Sequence, residues 1–229
     1  PSGVARAFAP RPWRGTNTFQ EACWAWRRLD VPVLAAVHGH CFGGGVQLAL
    51  AADVRFTTPD ARWSVLEARW GLVPDMSGIR TLTEHVRPDV AKRLTMTGEE
   101  VDGTRAVEIG LATQVASDPG AAAQELVEAL RTRSPDAVAA TKRLFTASPG
   151  ASARSTLARE RREQSVLLVS ANTAAARAED AVPARHLARL KQARELLCRR
   201  QSHPPTVPEL AQLVGLNEFD LKRHFKAYY

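Results

Sequence analysis

PVLAAVHGHCFGGGVQLALAADVRFTTPDARWSVLEARWGLVPDMSG, residues 32 to 78, is the stretch on which the fold is decided. Its first apolar run, Val33 to Val37, has the length and β-branched content of a buried strand, and His38-Gly39 breaks it. Gly43-Gly44-Gly45 follows, and Gln47 to Ala52 reads as a helix. That order aims backbone N–H groups beyond the turn. The first helical turn has donors without intrahelical acceptors and carries the positive end of the dipole. Glycine lets a ligand atom approach the main chain because no Cβ intervenes. Such a donor stabilises negative charge developing on a carbonyl oxygen.

Working outward, Val54 to Thr57 reads as a short strand and Thr58-Pro59-Asp60 as a turn. Arg62 to Leu66 is a second extended piece that delivers Glu67. Upstream, Phe19, Cys23, Trp26 and Leu29 recur at helical spacing, which predicts an amphipathic helix from Asn17 to Leu29 with its aromatics in the core. Residues 1–15, rich in Pro, Gly and Arg, read as irregular. Downstream, helices are expected over 88–97, closed by Gly98, over 102–109, closed by Gly110, and over 119–132, with a strand at 113–115. Ser134 and Pro135 start another helix, SPDAVAATKRLF. Residues 152–180 read as helical and rich in Ala and Arg. Alternating short strands and helices give an α/β layer architecture.

Composition narrows the class. The 229 residues are 45% hydrophobic and 24% charged, ordinary for a soluble globular protein, and no run approaches a membrane span. Cys23, Cys41 and Cys198 form neither a disulfide framework nor a metal spacing, which fits reduced thiols and a cytoplasmic setting. Cys41 reads as a small buried filler. His38 and His40 read as packing or hydrogen-bonding residues, Trp63 and Trp70 as core or pocket wall. Arg55, Arg62 and Arg69 read as a solvated face. The net charge is +7, of which +5 falls in the last 46 residues. An excess at one end points to an anionic partner there, nucleic acid first.

The ordered pieces AAVHGHCFGGG, ALAADVRF, TPDARWSVLE and GLVPDMSG resemble the crotonase superfamily, the enoyl-CoA hydratases and isomerases, over about residues 16–180. The resemblance implies a ββα superhelical core, an acyl substrate carried as a coenzyme A thioester, and no further cofactor or metal. It makes the backbone N–H of Gly44 the oxyanion donor. Hydratases use two glutamates. Gln47 stands where one of them would be, and Glu67 matches the other. Asp75, eight residues after Glu67, replaces a common glycine and resembles the dienoyl-CoA isomerase branch, where Glu and Asp flank the acyl chain and relay protons. Moving a double bond requires removing one proton and delivering another, so Glu67 and Asp75 are the expected proton-transfer pair. Gln47 would then hold a water or the substrate. Cys41, Phe42, Gly43, Gly45, Pro74 and Lys142 are the expected substrate-binding positions, Arg55, Arg62 and Arg69 having CoA phosphates as an alternative partner. The family's second oxyanion donor, from an earlier FCAG-type segment, has no counterpart here. About the first third of the usual fold is missing, so open sheet edges are expected. Trimer or hexamer assembly is the family habit.

The last 45 residues read differently. LKQARELLCRR is an amphipathic helix with Leu190, Ala193, Leu196 and Leu197 on one face, stopped by Pro204-Pro205. Thr206 and Glu209 form a capping box for VPELAQLV, which ends at Gly215. Asn217 caps EFDLKRHFKAYY, whose apolar face is Phe219, Leu221 or His224, and Phe225. Helix, glycine turn and basic helix make a helix-turn-helix plan. ELAQLVGLNEF and LKRHFK resemble AraC-type transcription regulators over about residues 185–229, the first half of their paired module. That resemblance implies DNA contact through Asn217, Lys222, Arg223 and Lys226. A bundle for protein contacts is the other reading. The expected division is therefore a crotonase-like domain over 1–180 and a helix-turn-helix segment over 181–229. Two functions follow as expectations: an acyl-CoA isomerase or hydratase, or a DNA-binding regulator with a degenerate acyl-CoA-sensing domain.

Overall fold

Asn17 opens α1 (Thr18–Arg27): its side chain accepts from the Gln20 N–H, and the Gln20 side chain accepts from the Asn17 N–H. This reciprocal capping satisfies two donors that the helix cannot satisfy itself. The structure, a computed structural model, describes residues 7–11, 13–181, 184–199 and 204–228, with no account of the side chains of 177–181, 184, 185, 227 and 228. Much of the irregular stretch expected over 1–15 (residues 1–6 and 12) lies outside the described residues, as do Arg200 and Tyr229 at two expected helix ends. The chain divides into two compact units, one of residues 1–132 with 138–159 and one of 133–137 with 160–229.

In the first unit the chain makes the same move twice. β1 (Leu34–Val37) leads across Gly39 to β2 (His40–Phe42) and then to α2 (Gly44–Ala49). β3 (Val54–Thr57) leads across a turn to β4 (Arg62–Ser64) and a short 3-10 helix, Leu66–Trp70. The first strands of the two passes pair in parallel, Leu34 opposite Val54 and Val37 opposite Thr57. So do the second strands, His40 opposite Arg62 and Phe42 opposite Ser64. Two three-stranded sheets result. After α3 (Gly78–His85) and α4 (Pro88–Thr97), β5 (Val101–Asp102) joins β4 antiparallel. Beyond α5 (Gly103–Glu108), β6 (Gln114–Val115) joins β3 in parallel. This is the expected ββα superhelical plan. The glycine run begins the helix earlier than its side chains suggest, and α3 is an element that the apolar pattern does not announce.

The core joins Cys41, Val46, Leu50, Trp63, Val65, Leu82, Val86, Leu94 and Leu111. Trp63 is fully buried, and its indole N–H donates to Thr57 Oγ1 at 3.0 Å, fastening β4 to the end of β3. Trp70, by contrast, is exposed. Arg55 corrects the expectation of a solvated face. It is buried, with its guanidinium donating to the carbonyls of Leu111 and Ala52, both at 2.8 Å, and burial pushes its pKa down to about 10. Arg62 and Arg69 are exposed, as expected, and both pair with Glu100. On α1 only Cys23 of the expected apolar stripe is buried; Phe19, Trp26 and Leu29 are exposed. α6 (Pro119–Arg131) and α7 (Pro135–Ala147) follow β6, and α8 (Ala153–Leu168) follows α7.

In the second unit, Ser170 separates α8 from α9 (Ala171–Ala181), its Oγ accepting from the Thr173 N–H at 3.2 Å. Three helices follow: α10 (Ala184–Arg199), α11 (Val207–Val214) and α12 (Glu218–Tyr228). They enclose Leu190, Ala193, Leu210, Ala211, Val214, Leu216 and Leu221. The Thr206–Glu209 capping box is formed. On α12, Leu221 and His224 face the core, whereas Phe219 is 69% exposed, which removes it from the apolar face assigned to that helix. Among the described residues no helix is long and apolar enough to cross a membrane.

Candidate active site

The glycine turn is held by backbone before any side chain acts. Gly43 has φ +50° and ψ −115°, a conformation hostile to a Cβ, and its N–H donates to the Ser64 carbonyl at 2.9 Å. That bond seats the start of α2 on the end of β4. Two residues beyond Ser64 the chain enters the 3-10 helix, which carries Glu67. A Cβ built on Gly43 would stand 3.5 Å from Glu67 Oε1, so the carboxyl lies against the turn itself. Gly44, the first residue of α2, follows directly.

Gln47 fixes this arrangement. It is 2% exposed, and both ends of its amide are used. Nε2 donates to Glu67 Oε1 at 2.6 Å. Oε1 accepts from the N–H of Met76 at 2.8 Å and of Gly78 at 3.0 Å. Three segments therefore meet on one neutral side chain: the glycine turn, the 3-10 helix and loop 74–77. The expectation was that Gln47 holds a water or the substrate; here its oxygen and one of its two amide protons go to the protein. Glu67 Oε2 is buried and has no hydrogen-bond partner among the described residues.

Loop 74–77 faces the turn from the other side. Pro74 is buried, and Met76 Sδ would lie 3.3 Å from a Cβ on Gly44. Asp75, between them, is half-buried, and its carboxylate makes no hydrogen bond or ion pair among the described residues. Ser77 has φ +72°, the one non-glycine in the left-handed region among the described residues, and its Oγ is buried and unpartnered. Backbone strain of this kind persists only where the surroundings hold it, and here it sits next to the site. A groove of about 280 Å3 runs between α3 and α4, lined by Ile79, Leu82, Pro88, Ala91, Thr95 and Met96. None of Gly44, Glu67 and Asp75 lines it.

Cys41, Phe42, Gly43 and Gly45 surround the turn by chain position. Cys41 is buried, its thiol pushed up to about 12 by desolvation, which keeps it protonated and inert as a nucleophile. Lys142 is not available as expected. Its ammonium donates to the carbonyls of Trp26 and Val31 at 3.1 and 2.8 Å and pairs with Asp53 at 2.8 Å. Those three partners match its three protons, so it clasps α7 to the segment before β1 and offers no donor to a coenzyme phosphate. In the second unit Lys222, Arg223 and Lys226 are exposed, Lys222 within 3.6 Å of Glu218. Asn217 is exposed too, but its amide is occupied with Asp220, accepting from the backbone N–H at 2.7 Å and donating to Oδ2 at 2.8 Å. It acts as a helix cap. The feature hidden from the sequence is the brace made by Gln47, whose partners lie 20, 29 and 31 residues further on.

The family profile of enoyl-CoA hydratase/isomerase matches residues 14–183. A carnitinyl-CoA dehydratase of Citrobacter koseri is 38% identical over 121 residues, which are 52% of this chain and 46% of that one. The carnitinyl-CoA dehydratase of Proteus mirabilis is 36% identical over the same lengths. Among solved structures, a Thermobifida fusca protein provisionally named an enoyl-CoA hydratase and solved with CoA aligns with a TM-score of 0.63 and 34% identity, covering 66% of this chain and 60% of that one. DspI of Pseudomonas aeruginosa aligns at 0.65 and 32%, covering 68% and 60%. The chain spans about half the length of the dehydratases it matches. The two ββα passes, the glycine turn opening α2 and the profile match over most of the chain together place this protein in the enoyl-CoA hydratase/isomerase family.

Proposed function

We propose that the first unit carries the reaction centre of an acyl-CoA enzyme that moves or protonates a double bond conjugated to a thioester. The observation that carries this is the Glu67 carboxyl, pinned by Gln47 against the glycine turn with one oxygen left unpartnered. In this reading the Glu67 carboxylate removes a proton from a carbon of the acyl chain. The electron pair shifts toward the thioester carbonyl, and its oxygen becomes an enolate stabilised by the Gly44 N–H. Asp75 passes a proton to the other end of the unsaturated system, and proton exchange with solvent returns Glu67 and Asp75 to their starting states. The double bond is displaced with no net change in atoms. A neutral Gln47 leaves a two-glutamate hydration without one of its acids, so isomerisation is favoured over hydration. CoA enters only as the substrate's carrier, and trimeric or hexameric assembly is part of the proposal.

The test uses the purified 229-residue chain with enoyl-, dienoyl- and 3-hydroxyacyl-CoA substrates, followed by thioester absorbance and product analysis. Glu67→Gln is expected to lower turnover at least ~10³-fold with folding intact, and Asp75→Asn to lower isomerisation by ~10²-fold or more. Turnover equal to wild type in Glu67→Gln would discard the assignment.

A second reading rests on the second unit. Its last two helices are joined by a glycine turn, and the final helix exposes Lys222, Arg223 and Lys226. That geometry supports a DNA-contacting helix-turn-helix of AraC type, held mostly by phosphate contacts. A gel shift at low salt, repeated with all three cations changed to Ala, tests it; equal retardation of both chains would end it.

A further inference from the structure

Two imidazoles meet inside the second unit. His186, near the start of α10, and His224, toward the end of α12, are 7% and 8% exposed, and their Nδ1 atoms lie 3.0 Å apart. Asp220 precedes His224 by four residues, a spacing that puts both on one face of α12. One carboxylate oxygen of Asp220 and one ring nitrogen from each histidine all lie within 4.8 Å of one another. Asn217 donates to Asp220 Oδ2 at 2.8 Å, which holds the carboxylate in place from outside the cluster. Outer partners of this kind orient metal-binding side chains.

Without a cation, two facing Nδ1 atoms accommodate each other only if one of them carries a proton and the other does not. A divalent ion takes both lone pairs at once. Nitrogens bound at ~2.1 Å in a tetrahedral shell stand ~3.4 Å apart, so the two rings, 3.0 Å apart here, need open by only a few tenths of an ångström to share an ion. Imidazole suits Zn, Ni, Co and Cu, whereas Mg and Ca prefer all-oxygen shells. The carboxylate supplies the negative charge that two neutral rings lack.

We propose that His186, Asp220 and His224 form a site for a divalent transition-metal ion, zinc in the first instance, which ties α10 to α12. Three protein ligands leave a further position for water. The unit's core is a short set of aliphatic residues, and modules of this size commonly depend on a staple. An ion bound only by the folded arrangement adds its binding free energy to folding. The site uses no residue of the acyl-CoA reading and stands or falls independently of it.

The 229-residue chain, stripped with chelator, is titrated with Co2+ as a spectroscopic probe and with Zn2+ as competitor. The expected result is one equivalent of Co2+ giving visible d–d and imidazole charge-transfer bands that Zn2+ displaces. Zn2+ should also raise the thermal transition of the apo chain. Asp220→Asn, which keeps side-chain shape and the Asn217 contact, should weaken Co2+ binding at least ~10-fold. His186→Gln with Asp220→Asn should abolish the bands. Absence of bands from the unaltered chain at millimolar Co2+ overturns the proposal, whatever the variants do. Bands that persist undiminished in the double variant overturn it as well, by moving the ion to other side chains.

Discussion

Gln47 and the carboxyl it holds are where the proposed chemistry rests at the scale of single residues. Gln47→Leu keeps the volume but strands the N–H groups of Met76 and Gly78 and frees the Glu67 carboxyl. Each buried donor left unpaired costs about 1–3 kcal/mol. The expected loss is about 2–4 kcal/mol in denaturant unfolding, with turnover falling alongside. Gln47→Glu is more informative, because its oxygen can still accept from Met76 and Gly78. It places a second carboxyl at hydrogen-bond distance from Glu67, where like charges force the two groups to share a proton. The expected outcome is a rise in hydration relative to isomerisation; an unchanged product ratio would detach residue 47 from the choice of reaction. Thiol chemistry gives a simpler check. Burial raises Cys23 to about 11 and Cys41 to about 12, while Cys198 is exposed. At pH 8 a thiol reagent should label one cysteine in the native chain and all three after denaturation.

At the scale of elements, α3 matters because its first residue touches the brace. A Cβ on Gly78 would stand 2.5 Å from Gln47 Oε1 and 2.8 Å from Pro74 Cβ. Gly78→Ala should therefore displace Gln47 and, through it, Glu67. Turnover is expected to fall at least ~10-fold while the helical circular dichroism is retained; full activity would separate loop 74–77 from the site. The elements show what the sequence could carry. The cap at Thr206 and the stops at Gly98 and Gly215 depend on neighbours within four residues, so those helix ends were legible. The spacing of Glu67 from the glycine turn was legible too, because strand, turn and strand fix it locally. Which face of α1 is covered was not, since the periodicity of Phe19 and Trp26 marks a stripe without naming what covers it. Arg55 escaped because β3 is buried at Arg55, Phe56 and Thr57 in succession, which defeats an alternating inside–outside pattern. The meeting of His186 with His224, 38 residues apart, depends on tertiary packing alone.

For the whole molecule, stability should follow a buried imidazole. Burial first, and then the charges of Arg55 and Arg27, push His85 down to about 4, and its Nε2 is buried without a partner among the described residues. The unfolded ring takes its proton near pH 6.5, so the unfolded state binds more protons between 6.5 and 4. The contribution is complete above 6.5 and is lost as pH falls toward 4. The transition of the first unit should drop by about 2–4 °C between pH 7 and pH 5, read by scanning calorimetry. His85→Asn should flatten that slope. Glu21, held at about 2 by hydrogen bonds from Arg28 and Thr16, loses its contribution only as pH falls from about 4.5 toward 2, in a separate window. One more consequence concerns time. A single amide binds partners 20, 29 and 31 positions downstream, and loops of such similar length close at nearly equal entropic cost. During synthesis the brace cannot be complete until residue 78 has emerged, so a nascent chain stopped short of that point lacks one of the contacts that hold loop 74–77 against the glycine turn.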